Sequence, residues 1–173
     1  MDELVPTTEA LPTRENWAEI DEFELSMLAT QKVIDLPLKH RFTPGIYTRE
    51  IFMPKGSIAT SKIHKIEHPF VVTQGKVSVY IPGIGVEHIE APYIGITKAG
   101  TRRVLYMHED TVWITFHPNE ENETDLEKIE AKLLERHELP DGTTSYERYS
   151  KLLSEQELEV AEMQKQLDYG GAP

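Results

Sequence analysis

Two histidines, His64 and His68, flank Glu67 in the stretch KIHKIEHPF. Imidazoles four positions apart with a carboxylate between them are residue types that hold a divalent metal. On a helix this spacing would turn both rings to one face, the arrangement of a zinc-dependent hydrolase. The surroundings argue against a helix. Pro69 follows directly and disfavours helical backbone at His68, and the preceding SIATSKIH alternates as a strand does. On a strand Thr60, Lys62 and His64 share one face, and Ser61 and Ile63 share the other. If the first face looks into a barrel, Lys62 and His64 are interior.

Two imidazoles need a third ligand to make a metal site. Glu67 could supply it, as could His117, which alternates with Trp113 and Thr115 and faces inward in one of the two possible registers. His64, His68 and His117 are therefore the expected metal set, with zinc, iron, manganese or nickel as the divalent ion. A second chemistry needs no metal. Lys62 and Arg103 facing one cavity would suit a carboxylate, a phosphate or a sugar nucleotide, with His64 or His68 as general acid or base. A plainer outcome stands beside both: Lys62 and Arg103 pair with Glu67, Glu109 or Asp110 while the histidines bond to backbone. Whether the protein is an enzyme stays open, and the candidate ligand-binding set is Lys62, His64, His68 and Arg103, with His108 nearby in the pattern.

The elements that must position these groups read as short strands rich in Val, Ile, Thr, Tyr and Phe. The candidates are IYTREIFM, SIATSKIH, FVVT, KVSVYI, VEHIEA, YIGIT, RRVLYM and TVWITFH, separated by turn residues such as those at Gly56, Gly75, Gly83 and Gly100. Eight such strands predict a small antiparallel barrel or jelly roll. Trp113, Phe116, Phe70 and Tyr80 are expected to pack between strands. The flanks change period. Trp17, Ile20, Phe23, Leu25 and Leu28 form a rough helical stripe, with Thr13 placed to cap it. Thr124 and Glu127 form a capping-box pattern ahead of Leu126, Ile129, Leu133 and Leu134, a stripe running towards Pro140. A further acidic helix, or two, is expected from Ser145 to about Asp168. The predicted organisation is an N-terminal extension over 1–40, a β-barrel over 41–117 and an acidic helical extension over 118–173.

Charge follows the same division. Residues 1–40 carry 3 basic and 9 acidic side chains, 41–117 carry 9 and 6, and 118–173 carry 6 and 15, which together give the net charge of -12. A strongly acidic chain opposes binding to a phosphate backbone, so nucleic acid is not an expected partner. There is no cysteine, which excludes disulfides, thiolate metal sites and cysteine nucleophiles. The acidic, proline-bearing start and the lack of a long apolar run predict a cytoplasmic chain with no membrane partner.

The central segment, 41–117, resembles the cupins. Their first motif, G-x5-H-x-H-x3,4-E-x6-G, falls on GSIATSKIHKIEHPFVVTQGKV. Counted back from Gly75, its glutamate position is occupied by His68, its second histidine by His64 and its first by Lys62. Gly56 lies one residue further back than the opening glycine. The second motif, G-x5-P-x-G-x2-H-x3-N, falls on PYIGITKAGTRRVLYM: Gly100 is kept, while Lys98, Arg103 and Met107 replace the proline, histidine and asparagine. The resemblance implies a mainly β fold, a cupin-type antiparallel β-barrel (double-stranded β-helix or jelly roll) with flanking N- and C-terminal α-helices. HRFTPGIYTREIFMPKG and GTRRVLYMHEDTVWITFHP also look like cupin-like proteins of tailed bacteriophages. That likeness implies a host-cytoplasm or virion location and other phage proteins as partners, and makes a non-enzymatic virion or assembly module, its barrel a scaffold and its helices the contacts, the alternative function. Barrels of this kind pair through strand edges, so a homo-oligomer, at least a dimer, is expected.

Overall fold

The computed structural model describes residues 17–30 and 32–169, with side chains through residue 165. The chain runs α1 (Trp17–Thr30), β1 (Leu38–Thr43), β2 (Gly45–Met53), β3 (Ile58–Thr60), β4 (His68–Gln74), β5 (Lys76–Ile81), β6 (Gly85–Glu90), β7 (Tyr93–Thr97), β8 (Val104–Met107), β9 (Thr111–Asn119), α2 (Leu126–Leu133) and α3 (Ser145–Tyr169). All strand pairs are antiparallel. They form a five-stranded sheet, β1-β2-β9-β4-β7, and a four-stranded sheet, β3-β8-β5-β6. This is the mainly β jelly-roll class that the strand rhythm predicts, with helices on both flanks. Among the described residues no ladder joins the two sheets into a closed cylinder, so β6 and β7 are both edges.

Alternation along the strands builds the core. Trp113, Phe70, Val72 and Met53 from the larger sheet meet Val77, Val79, Ile89, Leu105 and Met107 from the smaller in one buried cluster. β9 carries the pattern most fully, since Thr111, Trp113, Thr115 and His117 are all buried. Two glycines are forced by close approach. A Cβ on Gly75, where φ is +95°, would sit 2.5 Å from the Asp110 carbonyl oxygen, and one on Gly95 would sit 2.5 Å from the Phe70 ring.

Several expectations need correction. β1, LKHRFT, was not predicted and begins inside the segment expected to be an N-terminal extension; it is an edge strand, mostly exposed, with little alternation to read. β3 stops at Thr60. α2 is capped by Asp125, whose carboxylate accepts from the N–H groups of Glu127 and Lys128, and it ends at Leu133 well before Pro140. The capping box forms one helix later, where Thr144 and Glu147 bond reciprocally at the start of α3. α3 is a single helix of 25 residues. Thr13 lies outside the described residues. Phe116 and Tyr80 are half-buried on outward faces rather than in the core.

The contacts divide the chain into two units that are not continuous in sequence. Met1–Glu22 with Leu36–Arg136 holds both sheets and α2. The other unit holds the second half of α1 and all of α3; within it Ser145 donates to Glu24 at 2.8 Å and Tyr149 to the Ile34 carbonyl at 2.7 Å. No described helix is long and apolar enough to cross a membrane.

Candidate functional site

The register of the larger sheet decides what lies at one end of the core. Val72 pairs with Trp113 and Phe70 with Thr115, so continuing the β4–β9 ladder by one inward step sets His68 beside His117. His117 is itself opposite Tyr47 on β2, and His68 is opposite Thr97 on β7. One inward row therefore reads Tyr47, His117, His68, Thr97, and the next reads Arg49, Thr115, Phe70, Gly95. Moving towards this end, the same alternating positions change from apolar to polar.

His64 reaches the row from a loop. After Thr60 the chain leaves β3 and is pinned against the end of α2. Lys65 N donates to the Leu133 carbonyl at 2.8 Å, Glu135 N donates to the Ile63 carbonyl at 2.9 Å, and His64 bridges Leu134. Gly100 N donates to the His64 carbonyl at 2.8 Å. Alternation fails in such a segment. Ile63 and His64 are both buried, and Lys62 points outward, where it pairs with Glu130 at 2.9 Å. The interior Lys62 expected from the strand reading is not observed.

His64, His68 and His117 form one cluster, with ring centroids 4.3, 4.4 and 5.3 Å apart. All three are buried, and one ring nitrogen from each lies within 4.8 Å of the others. Three orphaned atoms are telling: His64 Nδ1, His68 Nε2 and His117 Nδ1 have no hydrogen-bond partner, although buried polar atoms are nearly always satisfied. The remaining nitrogens are engaged. His68 Nδ1 lies 3.1 Å from the Ile66 carbonyl, which can only accept, so this nitrogen carries the proton and Nε2 is bare. Thr115 Oγ1 lies 2.9 Å from His117 Nε2 and 3.4 Å from the Arg49 carbonyl; when the hydroxyl gives its proton to that carbonyl, His117 Nε2 donates to it and Nδ1 is bare. His64 Nε2 lies 3.5 Å from the Arg49 guanidinium, which can only donate, so here the inward Nδ1 holds the proton. Binding a cation would require that proton to move to Nε2, at the expense of a long and therefore weak contact.

Electrostatics keeps the rings neutral. Burial lowers the His64 pKa to about 2, assisted by His68, Arg49, His117 and Arg103. Burial likewise lowers His117 to about 3, with His68 and Arg49 adding to it. His68 is lowered by burial and by both arginines, against the pull of the Ile66 carbonyl. Neutral imidazole is the form that binds metal. The three rings each bring one nitrogen to within 4.8 Å of the others, so the residues fit a small divalent ion. Nitrogens sharing one ion at about 2.1 Å are at most about 4.2 Å apart, so only a slight inward rotation is needed. No aspartate or glutamate joins this group among the described residues.

Arg103 is buried beside the cluster, donates to Thr97 Oγ1 at 2.9 Å and lies over the Phe70 and Trp113 rings. Of the other expected residues, Glu67 is outside, paired with Lys98 at 2.8 Å. His108 is on the far side of the smaller sheet, 2.6 Å from Ser78, which also meets His88 at 2.8 Å. Sequence reasoning missed Arg49 and Tyr47, and it saw Thr115 only as a neighbour of His117 in the strand pattern. The signal for Arg49 and Tyr47 was pairing across the sheet, which appears in no single strand. Arg102, next to Arg103, is a buried structural group paired with Asp21.

No family model matches the sequence, and no curated protein matches it. Among solved structures, the chain is similar to a cupin-2 domain protein from Shewanella frigidimarina at 10% identity, covering 58% of this chain and 92% of that one, with a TM-score of 0.40. It is also similar to an uncharacterised protein with a double-stranded beta-helix domain from Klebsiella pneumoniae at 15% identity, covering 59% and 86%, with a TM-score of 0.44. A third likeness is to KdgF from a Halomonas species at 15% identity, covering 54% and 91%, with a TM-score of 0.42. These likenesses reach only the strand arrangement, and no chemistry is carried over from them.

Proposed function

We propose that this chain is a small-ligand-binding protein whose centre is a divalent metal held by His64, His68 and His117. The observation that carries this reading is the set of three buried ring nitrogens without partners, gathered from a loop and two strands. A fold that leaves three such atoms unsatisfied loses stability at each, a cost that a ligand offsets when it binds. An all-imidazole donor set suits zinc, iron or nickel better than manganese, which prefers oxygen ligands. Bound there, the ion would supply an electrophilic centre. The Ile66 carbonyl holds His68 in the tautomer that ligation needs, and Thr115 accepts from His117 Nε2 when that ring ligates through Nδ1, as outer hydrogen bonds do around metals generally. Lys62 takes no part, and Arg103 is the cation left to meet an anionic ligand.

The test is elemental analysis of protein purified without chelator, repeated on His64→Ala combined with His68→Ala. About one metal per chain in the parent and none in the variant is the expected result. A parent without stoichiometric metal, and unable to take up Zn²⁺, Fe²⁺ or Ni²⁺ on titration, sinks the reading.

The alternative, a non-enzymatic interaction or assembly module, has one observation in its favour. Edge strand β7, YIGIT, carries no charge, and its outward Ile94 and Ile96 are 75% and 60% exposed, the kind of edge that recruits another strand. A second copy of β7, paired antiparallel about Gly95, is the simplest occupant because the segment complements itself. Mass measurement in solution decides this: a strict monomer counts against the self-pairing edge and the homo-oligomer expected from it.

A further inference from the structure

Arg103 presents a problem that the three imidazoles leave unsolved. The residue is only 7% exposed, and among the described residues its Nε has no partner and its one side-chain hydrogen bond goes to a neutral hydroxyl, Thr97 Oγ1. Burial lowers its pKa to about 10, so it remains charged at neutral pH; Glu87 is the one acid whose field opposes the shift. A buried cation without a counter-ion is strongly unfavourable. Stacking over Phe70 and Trp113, at 5.4 and 5.1 Å from the ring centroids, offsets only part of that.

The surroundings suggest what completes it. Arg103 lines a cleft of about 250 Å³ between edge strand β6 of one sheet and edge strand β7 of the other. Thr97 and Thr101 stand on the cleft wall with the guanidinium, Glu87 and Lys98 line it too, and Phe70, Ile81, Ile84 and Tyr93 supply its apolar part. Tyr93 Oη donates to Glu87 at 2.8 Å across the opening. One polar, cationic end and one apolar body describe an amphipathic guest. The volume lies below the roughly 300–1,000 Å³ typical of sites for drug-sized ligands, which favours a guest smaller than a sugar nucleotide. A single buried fork of guanidinium donors matches a planar, singly charged head better than a dianion. Lys98, the other cation of the cleft, already meets Glu67.

We propose that the β6–β7 cleft binds a small monocarboxylate with a short apolar or aromatic body, its carboxylate held by Arg103 and the hydroxyls of Thr97 and Thr101. Binding itself needs no metal. The further consequence, that such an acid is the substrate class of the adjacent centre, rests on the metal reading above.

The test uses the full chain, both chelator-treated and reloaded with Zn²⁺ or Fe²⁺. Benzoate and butyrate are titrated by calorimetry and thermal shift, against benzamide, butyramide and inorganic phosphate. Saturable binding of the carboxylates to the metal-free protein is expected, with no matching response to the amides and a weaker one to phosphate. Arg103→Gln should weaken the carboxylates by at least about tenfold, as expected when a charge-assisted contact is lost. Because Arg103→Gln could disturb packing, the exposed Glu87→Gln provides a second reading: removing the acid nearest the guanidinium should tighten the same ligands severalfold. Amides binding as well as acids, or no saturable binding in either preparation, overturns the proposal. So does carboxylate binding seen only with metal and unchanged in both variants, since the anion then sits on the ion. Protein that takes up no metal yet binds benzoate through Arg103 would sink the metal reading and leave this one standing.

Discussion

The two ends of the core between the sheets are built by the same strands and are equally dry, yet they are different materials. At one end Met53, Val72, Val79, Met107 and Trp113 fill the space with apolar atoms. At the other, one or two inward steps along β4 and β9, sit Phe70, Thr115, His68 and His117, joined by His64 and Arg103. Every buried side-chain polar atom lacking a partner among the described residues is at this second end. The first end stabilises the fold and the second draws on that stability. The contrast teaches that burial alone does not mark a core; what separates core from site is whether the buried atoms have found their partners.

Acid should separate the two ends most strongly. The apolar end does not titrate. At the polar end His64 and His117 are held to about 2 and about 3, and His68 is lowered as well. In the unfolded chain these rings titrate near about 6.5, so below that pH the unfolded state binds protons that the native state refuses. Stability is therefore full above about pH 6.5 and falls as pH drops towards the folded values. The two strongly lowered rings, His64 and His117, each contribute a slope of up to about 1.4 kcal/mol per pH unit, about 3 together at the steepest, and His68 acts in the same direction. Urea midpoints measured from pH 7.5 to 5 should fall sharply on the acid side; a flat profile would mean the rings are solvated or already charged.

The apolar end is broken by truncation instead. Trp113→Ala removes a buried indole stacked 4.2 Å from Phe70 and should cost about 3–5 kcal/mol at any pH in this range. Chemical denaturation at two pH values checks this: the loss should be the same at both, unlike the acid effect.

How much of this contrast could be read in advance varies along the chain. Eight strands followed from alternation and turn residues, and the inward set Trp113, Thr115, His117 on β9 was visible as a period of two. β1 was missed because an exposed edge has no second face to bury, hence no alternation. His64, His68 and Arg103 were found by motif spacing. Lys62 was misplaced because alternation was carried past Thr60, where backbone bonds to α2 rather than a ladder fix the chain. Arg49 and Tyr47 lie beside the cluster through pairings between strands distant in sequence, and one strand's pattern cannot set its neighbour's register.

A substitution that makes the polar end resemble the apolar one sharpens the comparison further. His68→Leu replaces a ring bearing an orphaned nitrogen with a side chain that needs no partner. Ile66, whose carbonyl loses its bond, is exposed enough for water to take over. Without metal the variant should therefore equal the parent or exceed it by about 1–2 kcal/mol at pH 7.5, with a larger advantage at pH 5.5. With Zn²⁺ at about a hundredfold over its dissociation constant, the parent gains about 2.7 kcal/mol by mass action and the order reverses. Melting curves of both proteins with and without Zn²⁺ decide it, and a variant less stable than the metal-free parent would mean the rings earn their place through packing alone.

The smallest effect separates the two cations that sequence reasoning placed together. Lys62 and Arg103 fall on matching motif positions, but Lys62 pairs with Glu130 in solvent while Arg103 is enclosed. An exposed ion pair holds two long side chains in one geometry against solvent and salt, so Lys62→Ala should cost no more than about 1 kcal/mol, and less still as salt rises. Metal content and benzoate affinity should match the parent within error. Arg103 is the opposite case, since no exposed alternative awaits its charge and its loss should be felt in binding. If Lys62→Ala lowered ligand affinity as Arg103→Gln does, the end of α2 would have to move in solution and bring Lys62 inward. The line drawn here between the cation that belongs to the site and the cation that only flanks it would then be wrong.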